Sequence, residues 1–516
     1  MSDAGTRLAR LAPVLLRGAF WGLLLTVVAT TKTDPDLWGH VRFGLDIVQA
    51  GTARLAETYS FTSDREWINH EWAAETLFGI AYRAAGSQGL VAVKVLVVLA
   101  VIALLNRRLR AEGVEAARHR DLLAAAAIIA TIEQAHHVRP QIFSLLFFAS
   151  LLSALSLARR DRRWLTALPP LFALWANFHG GWIVGGGVMV LWTAGLAIAR
   201  PADVRAIAWH VAAGLMSLAA TVLNPHGVGL LTFLYETVGF GRADITDWQP
   251  VYAIEPHIAL LWVATVVLAG LGLHAAWRDG ILPPERLLVV TALGVGSFRV
   301  NRLLAFFALA TLFLLGRALA SRLPRVGRAP REAPSPAAAA FAASVSLAMA
   351  AGALALAMRS AACIEVDPRT TAPAGAVEFL KRTGSSGRLL VWFDWGQYAL
   401  WHLGSHLRVS MDGRRETVYS DSMQERHLRF YFDAPGGAAL PAELGADYIW
   451  LPADLPAVRR LRAEGWPQLY ADDGSVVFGS RAAGSAPLVR TTGAADAESL
   501  KPAPAGAVLR RCFPGP

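Results

Sequence analysis

The sequence predicts a multi-pass α-helical membrane protein of about eleven spans. It also predicts a small extracytoplasmic α/β domain at the C-terminal end. Three observations carry this. First, 54% of the 516 residues are hydrophobic and only 17% are charged, against about 25% charged in a typical soluble protein. Second, apolar runs approaching bilayer-spanning length recur, and arginine clusters fall between alternate runs. Third, the composition changes near residue 360, where short apolar runs replace long ones. The net charge of +10 does not point to nucleic acid, because the positive-inside rule accounts for the arginines.

In chain order, Arg7, Arg10 and Arg17 precede an uncleaved first span at 19–30, which places the N-terminus in the cytoplasm. Residues 32–87 form a long outer loop. Within it, 68–82 has helical periodicity, with Trp72, Leu77 and Ile80 opposite Glu71 and Glu75, as in a helix lying at an interface. Further spans are expected at 90–105, 122–132, 142–157, 165–176, 182–199, 206–223, 258–277, 287–296, 303–319 and 337–358. Arg107, Arg108, Arg110, Arg159, Arg160, Arg200, Arg278 and Arg286 fall on the side assigned to the cytoplasm. An outer segment at 224–257 contains Asp244, Asp247, Trp248 and Gln249, and 321–336 is a basic, proline-rich linker. An odd number of spans places the C-terminus outside. The expected domains are therefore 1–358 in the membrane, 359–480 outside it, and a flexible tail at 481–516 rich in Ala, Gly, Pro and Ser. In the α/β domain, strands are expected at 389–393, 407–411, 448–451 and 475–478, with helices near 396–403, 421–432 and 454–464. Cys363 and Cys512 are the only cysteines, too few for a disulfide framework.

The polar residues near span ends collect on the outer side. Asp34-Pro35-Asp36 follows the first span, and His40 lies four residues beyond Asp36. Proline suits the first turn of a helix, which makes Asp34 the expected N-cap and puts Asp36 and His40 on one helical face. Ionisable groups at a membrane edge are costly unless they have a role. A carboxylate and an imidazole so placed suit a general base or a metal edge; a dipole partner for the helix is the simpler alternative. Asn69-His70-Glu71-Trp72 repeats the theme, and Glu71 and Glu75 at i, i+4 require a nearby cation. His136, His137 and Arg139 end the third span and suggest an anion site. His179 and His226 each follow an Asn and precede Gly, which is also a plain helix-stop signal. Arg299 and Arg302 stand on the outer side against the charge rule, favouring an anionic ligand over simple snorkelling. Asp394 and Asp412 read as turn caps. No tight zinc motif occurs, although the histidines and carboxylates could hold a divalent metal.

Several of these stretches resemble bacterial polytopic proteins with a GT-C-like glycosyltransferase architecture. They are Asp34–His40, Asn69–Trp72, Arg139-Pro140-Gln141, Trp175–Gly180, Asn224–Gly227, Asp394–Tyr398 and Asp412-Gly413-Arg414. The resemblance runs to about residue 480. It implies an integral-membrane transferase of the hexosyltransferase class in the bacterial inner membrane, using a polyprenyl-phosphate-linked sugar and a lipid, polysaccharide or protein acceptor in the envelope. Such enzymes carry an essential carboxylate in the first outer loop, where Asp34 and Asp36 stand here. The expected base is Asp36, with Asp34 its rival. His40, His70 and Glu71 would orient the base, the acceptor or a metal. The remaining substrate-binding candidates are His136, His137, Arg139, His179, His226, Arg299 and Arg302, with the arginines facing phosphate. A transporter or lipid flippase would instead line a path with mid-span polar residues. A non-catalytic scaffold displaying the α/β domain would need the outer polar residues only to close helix ends.

Overall fold

In the computed structural model, residues 3–238, 248–324, 335–368, 371–480 and 512–515 are described. Asp244 and Asp247, most of the 321–336 linker and most of the 481–516 tail lie outside the described residues. The chain divides into two compact units: Met1–Thr31 with Gln88–Cys363, and Lys32–Ser87 with Ile364–Pro516.

The first unit is helical. Among the described residues, seven helices are long and apolar enough to cross a membrane: Leu11–Ala29, Trp72–Ala111, Gln141–Ala158, Trp182–Ala199, Pro256–Arg278, Asn301–Arg322 and Ala337–Ala361. The other four expected spans lie on shorter helices, Ala117–Ala130, Leu168–Phe178, Val204–Ala220 and Pro284–Arg299, of 14, 11, 17 and 16 residues. A bilayer core asks for about 20 residues, so among the described residues length and composition mark seven of the eleven expected spans. An 18-residue stretch of the helix Asn301–Arg322 has 89% of its residues buried, and this helix is the hub against which neighbouring helices pack. The first and last helices pack along their length through small residues: a Cβ on Gly22 would lie 2.8 Å from Ala353 Cβ. Such close approach is the usual basis of helix association in lipid. Lys94, wholly buried, donates to the Thr30 carbonyl at 3.0 Å, a basic cap just past the first helix. Sequence pattern alone missed this buried cation. Three of the expected cytoplasmic arginines, Arg108, Arg159 and Arg286, have carboxylate partners. Arg159 pairs with Glu285 at 2.6 Å and Arg286 with Glu112 at 3.0 Å.

The second unit contains a five-stranded mixed sheet. Its strands are β1 (Gly387–Val391), β2 (Leu407–Val409), β3 (Tyr448–Pro452), β4 (Gln468–Ala471) and β5 (Ser475–Gly479), in the order β2-β1-β3-β5-β4. β1 runs parallel to β2 and β3, whereas β5 is antiparallel to β3 and β4. β4 was not expected: its residues are only partly buried, so it lacks the apolar run that marks the others. The expected helices are Gly396–Leu403, Asp421–Tyr431 and Pro456–Ala463, and an unexpected one spans Ala374–Arg382. Leu390, Ile449, Leu451, Val476 and Phe478 from the sheet pack with Phe430, Tyr431, Val458 and Leu461.

The long outer loop, expected to belong with the membrane helices, folds with this sheet. Phe61 N–H donates to the Val409 carbonyl at 3.1 Å, and Val409 N–H to the Tyr59 carbonyl at 3.3 Å, so the loop satisfies backbone groups on the β2 edge. The loop also holds the helix Leu37–Ala50 and the start of Trp72–Ala111, which breaks at Ala85 and at Gly86 (φ 57°). The expected amphipathic helix and the second span are thus one interrupted element. Gly44 and Gly79 form the crossing of the two helices, where a Cβ on Gly44 would overlap the Glu75 carbonyl. Gly44→Val is expected to destabilise this unit by about 3 kcal/mol, read as a lower melting temperature of the protein in lipid. An unchanged melting temperature would show that the crossing can open. Both cysteines are disulfide-bonded, a state that persists in oxidising compartments.

Candidate functional site

The stretch from Thr33 to His40 is anchored by Thr33 N–H donating to the Glu365 carbonyl at 2.8 Å. Asp34 is buried, and its Oδ1 accepts from Asp36 N–H at 2.8 Å, closing an Asx turn. The helix begins at Leu37, with Asp36 at the N-cap. The expected assignment was therefore two residues early: Asp34 caps a turn rather than the helix, and Pro35 stands outside it. The cause is local, since the Asp34 side chain takes the Asp36 N–H and holds the chain in a turn before helical bonding starts. His40 N–H then donates to the Asp36 carbonyl at 3.0 Å, so the two expected partners do share the first turn.

Three motifs converge here. Gly39 N–H donates to Gln397 Oε1 at 3.1 Å, and the contact is buried. A Cβ on Gly39 would overlap that amide, and a Cβ on Gly413 would overlap Asp36 Oδ1. Each glycine thus makes room for a polar group. Trp38 meets Tyr398 edge-on at 5.1 Å.

On the next turn, His40 Nδ1 lies 3.0 Å from Glu75 Oε1. Asn69 Nδ2 donates to Glu75 Oε2 at 2.7 Å, while Asn69 Oδ1 accepts from Glu71 N–H at 3.1 Å. His70 Nε2 lies 3.8 Å from Glu71 Oε1. Burial opposes a charge on His40, but the hydrogen bond to Glu75 and the charges of Glu71, Glu75 and Asp36 outweigh it, raising its pKa from 6.5 to about 9. Glu75 thus has His40 as its direct partner, and Glu71 has His70 beside it. Because the His40 pKa is raised on folding, the His40–Glu75 pair contributes stability that is complete below about pH 6.5 and lost as pH rises through about 9. With a chelator present, the stability gap between wild type and His40→Gln should shrink over that window, as read by protease resistance of the second unit. A gap constant from pH 6 to 10 would refute the pairing. Ligand atoms of His40, Glu71 and Glu75 lie within 4.8 Å of one another. One imidazole and two carboxylates fit a divalent cation, which would have to displace the His40 proton.

Asp412 proves to be more than a turn cap. It is fully buried and accepts from Arg414 Nε at 2.9 Å, Arg414 Nη2 at 2.7 Å and the Tyr419 hydroxyl at 3.1 Å. Arg414 also pairs with Glu57 and lies over the rings of Phe43, Tyr59 and Trp67 at 5.1, 5.2 and 4.8 Å. Burial disfavours its charge, but Asp412 chiefly outweighs this and holds its pKa well above the usual value.

The remaining candidates belong to the first unit. His179 ends the helix Leu168–Phe178 in extended conformation. Arg302 Nη2 lies 2.9 Å from His179 Nε2 and 3.3 Å from Gln141 Oε1, and its guanidinium is 5.7 Å from the Trp248 ring. Ser144 Oγ, which accepts from Trp175 Nε1 at 2.7 Å, is 2.7 Å from His179 Nδ1. Gly181 N–H also donates to His179 Nδ1 at 3.1 Å, and an arginine donates only, so donors meet both ring nitrogens of His179. The helix-stop reading of His179 is correct for the backbone and incomplete for the side chain. His226 stands in a turn beyond the helix Val204–Ala220, where Asn224 Oδ1 accepts from His226 N–H at 2.7 Å. His136 and His137 pack edge-on at 5.5 Å and, with Arg139, are half-buried before the helix Gln141–Ala158. Arg299 is exposed at the last residue of Pro284–Arg299. Sequence reasoning singled out neither Gln397, Gly413, Asn69 and Glu75 as site residues nor Gln141 and Ser144. Only the quoted motifs marked the place of some of them.

No protein-family model and no curated protein matches this chain. Among solved structures, it is similar to ArnT from Cupriavidus metallidurans bound to undecaprenyl phosphate, with TM-score 0.54, 12% identity, and coverage of 90% of this chain and 97% of that one. It is also similar to the arabinofuranosyltransferase AftD from Mycobacteria, with TM-score 0.51, 17% identity and 90% of this chain covered. The chain spans 40% of the length of AftD. Identity this low carries the fold alone, and with the apolar helices it establishes a polytopic membrane protein of GT-C-like fold.

Proposed function

We propose that this protein is a membrane glycosyltransferase that moves a sugar from a polyprenyl-phosphate donor to an envelope acceptor at the outer face of the bacterial inner membrane. The observation that carries the reading is Asp36. It is an N-cap carboxylate that does not bond its own helix, and it stands one turn from the His40–Glu75 pair in a protein of GT-C-like fold. In the proposed reaction, Asp36 takes the proton from an acceptor hydroxyl. The oxygen attacks the anomeric carbon, the bond from that carbon to the phosphate oxygen breaks, and polyprenyl phosphate leaves with the electron pair. A single displacement of this kind inverts the anomeric centre.

The departing phosphate needs positive charge. Arg302 is the first candidate, ahead of Arg139 and Arg299, because His179 and Gln141 hold its guanidinium in place. Arg302→Gln should reduce turnover by about 10²-fold with an intact fold, and a variant turning over at the wild-type rate would remove Arg302 from the mechanism. The proposal itself is tested by release of free polyprenyl phosphate from purified protein in lipid, supplied with a panel of polyprenyl-phosphate sugars and a crude envelope acceptor. Acceptor-dependent release supports it. Absence of release across the panel would return the transporter and scaffold readings.

A further inference from the structure

We infer that Gln397 is a positioning residue. It caps the helix Leu37–Ala50 in place of Asp36, and so holds the Asp36 carboxylate for the base role. This rests on the proposed transferase reading, and it gives the C-terminal α/β fold a part in catalysis.

An aspartate at an N-cap normally turns its side chain back to accept the N–H of the second or third helical residue. Asp36 does not: its backbone is helical (φ −87°, ψ −14°), and its side chain makes no capping bond. The third helical residue is Gly39, and its N–H goes to Gln397 Oε1 instead, at 3.1 Å in a buried contact. Gln397 is itself 3% exposed and lies at the second position of the helix Gly396–Leu403. That helix is pressed against Met411 and Asp412, since a Cβ on Gly396 would overlap the Met411 carbonyl. Gly413 completes the arrangement. The space its side chain would fill is taken by Asp36 Oδ1, with Gln397 Nε2 only 3.0 Å from that position.

The chemical reason is basicity. A carboxylate that accepts backbone N–H bonds at a helix N-terminus becomes a weaker base. A neutral amide in the capping position satisfies the same N–H without that effect. Gly39 and Gly413 are then required because each leaves space for one of the two polar groups.

Amide exchange at Gly39 in the full-length protein in lipid tests the capping directly. Protection should persist in Asp36→Ala, where Gln397 still caps. It should persist in Gln397→Leu, where Asp36 turns back to cap, and be lost in the double variant. Loss of protection in Asp36→Ala alone, or its survival in the double variant, would overturn the inference. This arm reads no activity, so it stands apart from the transferase reading.

The second arm is turnover. Gln397→Leu should lower kcat by about 10²-fold, the scale of a small misplacement, with KM little changed. Gln397→Glu keeps an oxygen acceptor and should recover most of the loss. Gly413→Ala, which keeps Asp36 and Gln397 in the sequence but displaces Asp36 Oδ1, should lower kcat while Gly39 stays protected. A parallel fall in kcat and rise in KM with no rescue by Gln397→Glu would overturn the positioning role. If wild type releases no polyprenyl phosphate, the transferase reading fails, and the exchange arm still decides the capping.

Discussion

Asp36→Asn is expected to lower release of polyprenyl phosphate by roughly 10²–10⁴-fold, the usual contribution of a general base. The fold should survive, because Asp36 does not cap its helix through its side chain and Asn is nearly isosteric. Asp34→Asn should behave differently. The structural task of Asp34 is to accept the Asp36 N–H at 2.8 Å, and the Asn carbonyl oxygen can still do so. It should therefore keep most of the activity, whereas Asp34→Ala loosens the turn that carries Asp36. Wild type and the three variants would be compared at matched helix content. A dead Asp34→Asn beside an active Asp36→Asn would move the base role to Asp34. Equal release from all forms would remove both aspartates.

Arg414→Ala should have the largest effect on stability. The guanidinium holds Asp412 and Glu57 together inside three aromatic rings. Its loss leaves two carboxylates without their cation, one of them fully buried. Breaking such a pair costs about 3–5 kcal/mol, against a total of about 5–15 kcal/mol for a typical protein. Amide protection in the second unit should collapse in Arg414→Ala. Lysine should rescue poorly, because it cannot replace two parallel donors to Asp412. Near-native protection in Arg414→Ala would show that the network is dispensable.

The membrane character was legible because arginine clusters and apolar runs follow one-dimensional rules. The span count was less so: helices as short as Leu168–Phe178 read as spans only by continuity of alternation. Asp36 and His40 were found because ionisable residues at a span end are unusual. Their true partners were not. Gln397 and Gly413 reach Asp36 and Gly39 across more than three hundred residues of sequence, and no local periodicity encodes such a contact. The same holds for Arg414, whose ring partners Phe43, Tyr59 and Trp67 lie more than three hundred residues before it. The spacing of Glu71 and Glu75 did signal nearby basic groups: His40 bonds Glu75 and His70 stands beside Glu71.

The second unit is discontinuous, and this has a consequence for synthesis. Residues 88–363 separate its two halves. A ribosome adding about 5–20 residues per second takes roughly a quarter of a minute to a minute over that interval. Throughout it, the loop carrying Asp36 has no sheet edge to join and no Gln397 to cap its helix. A chain interrupted before residue 397 would be an inserted membrane protein with an unassembled site. On the proposed reading, the carboxylate would therefore be held in place only once synthesis had passed Gln397.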